Sequence, residues 1–146
     1  MKKKSITVLI KRFDQELPLP AYQSPGAAAF DLMARETVSI APHAVALVPL
    51  NVAIKVPAGH WVLMAARSSL FKKGVSLING IGVGDEDFCG DQDEYRAALF
   101  NYTDQPVTIL RSDRIVQALI LGREKVELLE VTEMNSSNRG GFGSTG

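Results

Sequence analysis

The sequence predicts an all-β protein, a single domain built as a β-sandwich or closed barrel of short strands. Its apolar residues recur mainly with a period of two, in runs broken by Pro, Gly, Asn and Asp at roughly ten-residue intervals. The chain has 146 residues, 46% of them hydrophobic, which is enough for one real core. Helix signals are scarce, so strands must supply most of that core.

The predicted strands are β-leaning runs, which read in chain order SITVLIKR, TVSIA, AVALVPL, VAIKVP, HWVLMAA, YRAALFN, PVTIL, RIVQALI and KVELLEV. Residues 67–73 (RSSLFKK) predict one short helix, with Ser68 or Ser69 as N-cap and Gly74 as its stop. From Asn135 the composition changes to NSSNRGGFGSTG, which predicts a flexible tail over residues 135–146.

Charge and composition exclude several classes of partner. The 16 Lys and Arg residues balance the 16 Asp and Glu residues, so no net field favours nucleic acid. No apolar run approaches membrane-spanning length, so we expect a soluble protein without a membrane partner. The single cysteine, Cys89, fits a reducing compartment, and we expect a cytoplasmic protein.

The segment Asn79–Gly90 (NGIGVGDEDFCG), here called the glycine-rich segment, predicts a hairpin that carries chemistry. Its glycines allow bare backbone to approach a ligand. Asp85, Glu86 and Asp87 follow, and carboxylates there indicate general-base catalysis or a hard metal ion. The alternative interpretation is an ordinary solvated acidic turn.

Two further elements are suited to phosphate. Arg67, Ser68 and Ser69 offer a guanidinium, two hydroxyls and free backbone N–H groups at a helix start. The tail from Arg139 to Gly146 adds a cation, glycine amides and hydroxyls, while Phe142 offers a flat face for a base or sugar. Together with the acidic segment, these elements describe a nucleoside triphosphate pocket.

Other short patterns fail in context. GFGSTG at the end of the chain spells a dinucleotide-binding motif, but no helix or acidic residue follows it. An EF-hand loop beginning at Asp85 would have Arg96 where a glutamate is required. His43 and His60 have no ligand-like spacing to each other or to Cys89, which argues against zinc.

Five segments in order resemble the motifs of the trimeric-type dUTP diphosphatase (dUTPase) family: GAAAFDLMA, ARSSLFKKG, NGIGVGDEDFCG continuing to ALFN, SDRIVQALI and RGGFGSTG. The resemblance implies a jelly-roll-like β-barrel over residues 1–134 and a C-terminal lid over residues 135–146. It also implies a homotrimer with active sites at subunit interfaces, and dUTP as substrate.

The resemblance assigns roles to individual residues. Asp85 matches the carboxylate that activates the attacking water, and Asn79 the amide that reads the uracil edge. Phe88 falls where the family usually has Tyr, beneath the deoxyribose, and Gly82 lies in the segment that approaches the base. The other matches are Arg67, Ser68 and Ser69 at the phosphates, Gln117 near the α-phosphate and its water, Asp31, Asp113 and Arg114 as supports, and Arg139, Phe142, Gly143, Ser144 and Thr145 in the closing tail.

The implied reaction is hydrolysis of dUTP to dUMP and pyrophosphate, which keeps uracil out of DNA and supplies dUMP for thymidylate synthesis. Mg²⁺ would be held mainly by the triphosphate oxygens, because this ion keeps several waters and needs no protein cage. Hydrogen bonds to the uracil edge would reject cytosine, since the analogue leaves them unpaired.

The sequence departs from the family pattern at four places. Asp91–Asp93 lengthens the connection after Gly90, and we expect a solvated loop there. Gly84 replaces an aliphatic residue, which predicts a looser hairpin, and Phe88 lacks the tyrosine hydroxyl. Arg139 lies about two residues closer to the glycines than the family's arginine, which bears on its γ-phosphate role.

Two alternatives remain open at the level of sequence. RSSL also resembles the phosphate motif of dCTP deaminases, but those enzymes carry a catalytic Glu on the following strand, which reads AALFN here. A non-catalytic, regulatory nucleotide-binding protein could keep the same pocket. The presence of Asp85 and a complete tail argues against it.

Overall fold

The computed structural model describes residues 5–144, which form eleven short strands and one 3₁₀ helix, Leu70–Lys73. The strands are Leu9–Arg12 (β1), Phe30–Met33 (β2), Val38–Ile40 (β3), Val45–Pro49 (β4), Val52–Lys55 (β5), His60–Ala66 (β6), Val75–Leu77 (β7), Ile81–Gly84 (β8), Arg96–Asn101 (β9), Val107–Ile109 (β10) and Arg114–Gly122 (β11). The predicted all-β class is confirmed.

The strands pair antiparallel in four sheets, and within residues 5–144 no sheet closes on itself. One sheet has the order β2-β11-β6-β8 and another has the order β4-β9-β7, while β1 pairs with β5 and β10 pairs with β3. β11 is the longest strand and lies between β2 and β6. The four-stranded sheet therefore joins parts of the chain that are distant in sequence.

All four sheets contribute to one hydrophobic core. Leu32 on β2, Val48 on β4, Ile54 on β5 and Ile109 on β10 each come from a different sheet, and all are buried in the same cluster. Burying one such side chain contributes about 1.5–3 kcal/mol. Because the core is shared, it fixes the sheets relative to one another and so holds the loops between them in place.

Several strand predictions were wrong or incomplete. KVELLEV (125–131) forms no strand, because within residues 5–144 it has no partner, and Leu128 is 91% exposed. The first strand covers only Leu9–Arg12 of SITVLIKR. Two strands were missed altogether, Phe30–Met33 and Val75–Leu77. Each is short, and the first has an aspartate within a buried run.

The predicted helix and hairpin differ in detail. The short helix is 3₁₀, with Ser69 at its N-cap position and Gly74 ending it at φ 80°. The glycine-rich segment is not a simple hairpin, because its strand β8 pairs with β6 and not with a sequence neighbour. A tight turn at Gly80, whose φ is 74°, leads into β8, and a loop from Asp85 to Tyr95 leads out of it.

Across residues 5–144 we find no helix with the length and apolar character needed to cross a membrane.

Candidate functional site

The glycine-rich segment borders a cleft of about 430 Å³. Asn79, Gly82 and Phe88, three residues assigned to base and sugar, all line it. Asn79 is exposed at the turn before β8, and Phe88 is 38% exposed in the loop after it. The structure therefore brings these three residues together around one cavity.

Gly82 forms part of the wall of the cleft without a side chain. It pairs with Met64 on β6, and a Cβ added at Gly82 would lie 2.9 Å from Met64 Cε. A side chain at this position would therefore press against the flexible end of a methionine. With glycine, backbone instead of side chain forms this part of the wall.

The three acidic residues after β8 differ in their surroundings. Asp85 is exposed, and its side chain has no ion pair within residues 5–144. Glu86 accepts hydrogen bonds from Arg123 Nη2 at 2.7 Å and from the Gly59 backbone N–H at 2.9 Å. Asp87 is exposed. Glu86 is therefore held by two contacts, whereas the Asp85 side chain forms no ion pair in the described residues.

Asp31 organises a second cluster at the start of β11. Its carboxylate is buried and lies 3.1 Å from Arg67 Nε and 3.2 Å from Arg114 Nη1. Arg67 Nη1 also donates to the backbone carbonyl of Arg114 at 3.1 Å. One carboxylate therefore holds two guanidinium groups, and the supporting role of Asp31 and Arg114 stays a prediction.

A cavity of about 240 Å³ adjoins this cluster. It is lined by Asp31, Arg67, Ser68 and Gln117, together with Gln23 and residues 27–29. Gln117 Nε2 donates to the carbonyl of Ala66 at 3.0 Å, which orients its amide. A guanidinium, a hydroxyl and an amide thus line one cavity.

Three other residues predicted for this part of the site, Ser69, Asp113 and Arg114, do not line the cavity. Ser69 is exposed at the start of the 3₁₀ helix, without a side-chain capping bond. Asp113 accepts from Lys73 Nζ at 2.8 Å and from the Leu110 backbone N–H at 3.0 Å. Asp113 therefore holds the turn before β11 and contacts neither Asp31 nor Arg67.

The tail residues stand apart from both cavities. Arg139, Phe142, Gly143 and Ser144 are exposed, and Phe142 makes no protective contact within residues 5–144. The Ser144 backbone N–H donates to the Gly141 carbonyl at 3.1 Å, closing a small turn. Thr145, the remaining predicted tail residue, lies outside the described residues.

Tyr95 was missed by sequence reasoning, although it is buried and lines the cleft. Its hydroxyl occupies the space beside Gly84 that a side chain would fill, so the glycine leaves no gap in the segment. Burial, with a smaller effect of the Asp85 charge, raises the pKa of Tyr95 from 10.0 to about 12. No local sequence signal links a glycine to a tyrosine eleven positions later.

The Asp91–Asp93 loop is exposed at Asp91 and Gln92, and it is held by one contact from β1 and one within the loop. Lys11 Nζ donates to the Asp91 carbonyl at 2.8 Å, and the Gly90 backbone N–H donates to Asp93 Oδ2 at 2.7 Å. Glu94, which follows, is buried and accepts from Arg35 Nε at 2.8 Å and from the Asn51 backbone N–H at 3.0 Å. The Glu94 contact raises the pKa of Arg35 above its usual range.

The two cavities lie on opposite sides of β6 in the sheet. β8, which carries the cleft, pairs with one edge of β6, and β11, which carries Arg114 and Gln117, pairs with the other. Their lining residues do not overlap. A ligand that needs both sets of groups from one chain would have to span the strand.

Fold and site together define an all-β protein with one cleft lined by Asn79, Gly82 and Phe88 and a separate polar cavity beside Asp31. The dUTPase family model matches residues 15–146 of the chain, and the chain belongs to the dUTPase family.

Relatives cover nearly the whole chain. The deoxyuridine 5'-triphosphate nucleotidohydrolase of Anaeromyxobacter sp. (strain Fw109-5) is 41% identical, over 97% of this chain and 98% of its own. The enzyme of the same name from Nautilia profundicola (strain ATCC BAA-1463 / DSM 18972 / AmH) is 38% identical, over 94% of this chain and 96% of its own.

Solved structures share the fold. The dUTPase of Streptococcus mutans superposes with a TM-score of 0.74 at 28% identity, covering 81% of this chain and 98% of its own. The Staphylococcus bacteriophage 80alpha dUTPase with dUPNHPP superposes with a TM-score of 0.83 at 22% identity, covering 96% and 98%. The predicted dUTPase-like fold is therefore confirmed.

Proposed function

We propose that this protein hydrolyses dUTP to dUMP and pyrophosphate by attack of water on the α-phosphorus. The observation that carries the proposal is the cleft in which Asn79, Gly82 and Phe88 converge, with the exposed Asp85 directly after the strand that forms its wall. These groups supply an amide for a base edge, bare backbone, a stacking face and a free carboxylate. Family membership adds the substrate.

Asp85 acts as the general base. Its carboxylate is exposed and is not consumed by an ion pair within residues 5–144, so it can accept a proton from the attacking water. Gln117 donates one N–H of its Nε2 to the Ala66 carbonyl, which leaves its amide oxygen to accept from the water and its second N–H to donate to an α-phosphate oxygen. Arg67, Ser68 and Ser69 neutralise and orient the phosphates.

Base and sugar selection fall to the glycine-rich segment. Asn79 reads the uracil edge, and a site built for those hydrogen bonds rejects cytosine because its own groups would be left unpaired. The backbone at Gly82 opposes a methyl group on the base, which excludes thymine. Phe88 supports the deoxyribose face and crowds a 2′-hydroxyl.

Mg²⁺ binds mainly through the substrate. Within residues 5–144, no three or more His, Cys, Asp or Glu side chains are grouped to hold a metal ion. This ion retains several waters, so one that arrives on a triphosphate requires no such group. When bound, it offsets the negative charge that develops on the phosphates.

The working enzyme is a homotrimer with its sites between subunits. The cleft and the Asp31 cavity lie on opposite sides of β6 and share no lining residue, which favours a site assembled from two chains. β8 is an edge strand with exposed Ile81 and Val83, which provides apolar surface for such a contact.

The tail from residue 135, including Arg139, Phe142, Gly143, Ser144 and Thr145, closes over the bound nucleotide. A cytoplasmic location and a role in dUMP supply stay predictions.

A deaminase reaction has less support. The carboxylate nearest to β9, Glu94, is buried and bonded to Arg35 and to the Asn51 backbone, so it is not free for catalysis.

The test is a substrate panel of dUTP, dTTP, UTP and dCTP with Mg²⁺, scoring pyrophosphate, nucleoside monophosphate and ammonia. We expect pyrophosphate and dUMP from dUTP, and little product from the other three. Ammonia release from dCTP would replace the proposal with deamination. Nucleotide binding without pyrophosphate release would indicate a regulatory protein.

A further inference from the structure

Tyr95 is a buried residue of the cleft that lies against both Gly84 and Phe88. Its side chain is 5% exposed, and its hydroxyl has no hydrogen-bond partner in residues 5–144. Leaving a buried hydroxyl unpaired has a free-energy cost, so its position calls for a physical explanation. That explanation comes from its two neighbours, Gly84 and Phe88.

Gly84 provides the space for the hydroxyl. A Cβ added at Gly84 would lie 1.9 Å from Tyr95 Oη and 2.7 Å from its Cζ. Contacts this short are impossible, so Tyr95 requires glycine at position 84, and a larger residue at 84 requires something smaller at 95. The two positions are therefore coupled by volume.

Phe88 forms an aromatic pair with Tyr95. The Tyr95 and Phe88 rings have centroids 5.3 Å apart and planes inclined at 71°, an edge-to-face pair. Such pairs are attractive beyond the area that they bury and favour one relative orientation. Phe88 is partly exposed in a loop, so this contact limits the directions its ring can take in the cleft.

We propose that Tyr95 is a positioning residue for sugar selection, which holds the Phe88 ring in place through the space that Gly84 leaves. The proposal rests on the proposed function, in which Phe88 crowds a 2′-hydroxyl. Gly84 and Tyr95 thus act as a pair, because the Tyr95 side chain fits only where residue 84 is glycine.

A catalytic role for the phenol is disfavoured on chemical grounds. Burial raises the pKa of Tyr95 to about 12, so the group stays neutral at physiological pH and does not serve as a base. Its oxygen is also enclosed, because it packs against Gly84 and has negligible exposed area. Tyr95 therefore contributes through the position of its ring.

The experiment compares Tyr95→Phe, Tyr95→Leu, Gly84→Ala and the double variant Gly84→Ala/Tyr95→Leu. For each variant, kcat and KM are measured with dUTP and UTP, and the chemical shifts of the Phe88 ring protons are recorded by NMR on selectively labelled protein. Tyr22→Leu is the matched control, because Tyr22 makes a similar edge-to-face contact with Phe30, at 5.7 Å and 81°, away from the cleft.

We expect Tyr95→Leu to raise KM for dUTP and to lower the preference for dUTP over UTP by about two- to tenfold, the range of one aromatic pair, with kcat for dUTP little changed. The Phe88 ring shifts should move. Tyr95→Phe keeps the ring and should retain the wild-type preference for dUTP over UTP. Gly84→Ala should impair the enzyme with Tyr95 in place but add little to Tyr95→Leu. Tyr22→Leu should leave the preference unchanged.

The positioning role is overturned if the wild type is active and Tyr95→Leu keeps both its dUTP preference and its Phe88 shifts. It is also overturned if kcat falls equally for both nucleotides. Should Tyr95→Leu not fold, Tyr95→Met, which fills the same space flexibly, takes its place under the same criteria. Absence of dUTP turnover in the wild type would instead defeat the proposed function, and the NMR shifts would still test the coupling.

Discussion

Asp31 and Asp85 are both carboxylates at the candidate site, but the chain surrounds them in opposite ways. Asp31 is buried and shared between Arg67 and Arg114, so its charge is already neutralised before a ligand arrives. Asp85 is exposed on a loop, with no ion pair in residues 5–144. From this difference we expect Asp31 to act through the two guanidinium groups that it holds, and Asp85 to act on the ligand.

The largest effect should come from removing the free carboxylate. We expect Asp85→Asn to reduce kcat by about 10²- to 10⁴-fold, the range of a general base, while nucleotide binding stays largely intact. Steady-state kinetics with dUTP and titration with a non-hydrolysable analogue measure the two effects. Asp87→Asn, at an exposed neighbour, is the matched control and should keep its activity. Wild-type rates in Asp85→Asn would end the distinction between the two carboxylates.

Deleting residues 135–146 tests whether catalysis at the exposed Asp85 needs the tail. We expect turnover to fall strongly, because the lid over the nucleotide is lost. The free energy of unfolding should change by less than about 0.5 kcal/mol, since the described part of this tail is exposed and adds nothing to the core. Chemical denaturation and dUTP turnover measure both. A large loss of stability would show that the tail belongs to the folded body.

Asp31→Asn tests the buried carboxylate of the comparison. It leaves two guanidiniums without their shared partner, and we expect a loss of about 1–3 kcal/mol in the free energy of unfolding. This is below the cost for a fully buried pair, because the Arg67 and Arg114 side chains are 28% and 40% exposed. Asp104→Asn, which removes a carboxylate paired with His43 at the surface, should cost almost nothing in the same urea titration. Equal costs would contradict the comparison.

The smallest effect is a loss of stability at alkaline pH, which depends on Tyr95 in the cleft. The pKa of Tyr95 is raised in the folded protein to about 12, so the neutral phenol favours folding. This contribution is complete below about pH 10 and is lost as pH rises through about 12. The wild type should therefore lose more stability than Tyr95→Phe across that window in thermal melts. Tyr22→Phe, at an exposed site, should follow the wild type.

The sequence predicted the features that depend on local pattern. Alternating apolar residues located most of the strands, and the five motif segments located Asp85, Asn79 and Phe88, three residues that meet at or beside the cleft. KVELLEV has the same alternation but finds no partner strand within residues 5–144, and alternation alone cannot supply one.

The features that failed prediction depend on distant partners. β2 was missed because Asp31 interrupts its apolar run, and the two arginines that make this aspartate tolerable come much later in the chain. The match of Gly84 with Tyr95 is a relation of volumes in three dimensions. Neither relation leaves a trace in local composition.

The place of β11 in its sheet has a consequence for biosynthesis. Ribosomes release a chain from its N-terminus, and β11 is the last strand in the described sequence, yet it lies between β2 and β6. A nascent chain that stops before Arg114 lacks the centre of this sheet and one of the two cations for Asp31. Pairings this distant in sequence also slow folding. Incomplete translation products are thus expected to expose unpaired edges to chaperones and proteases, and the cavity beside Asp31 forms only after β11 has been synthesised.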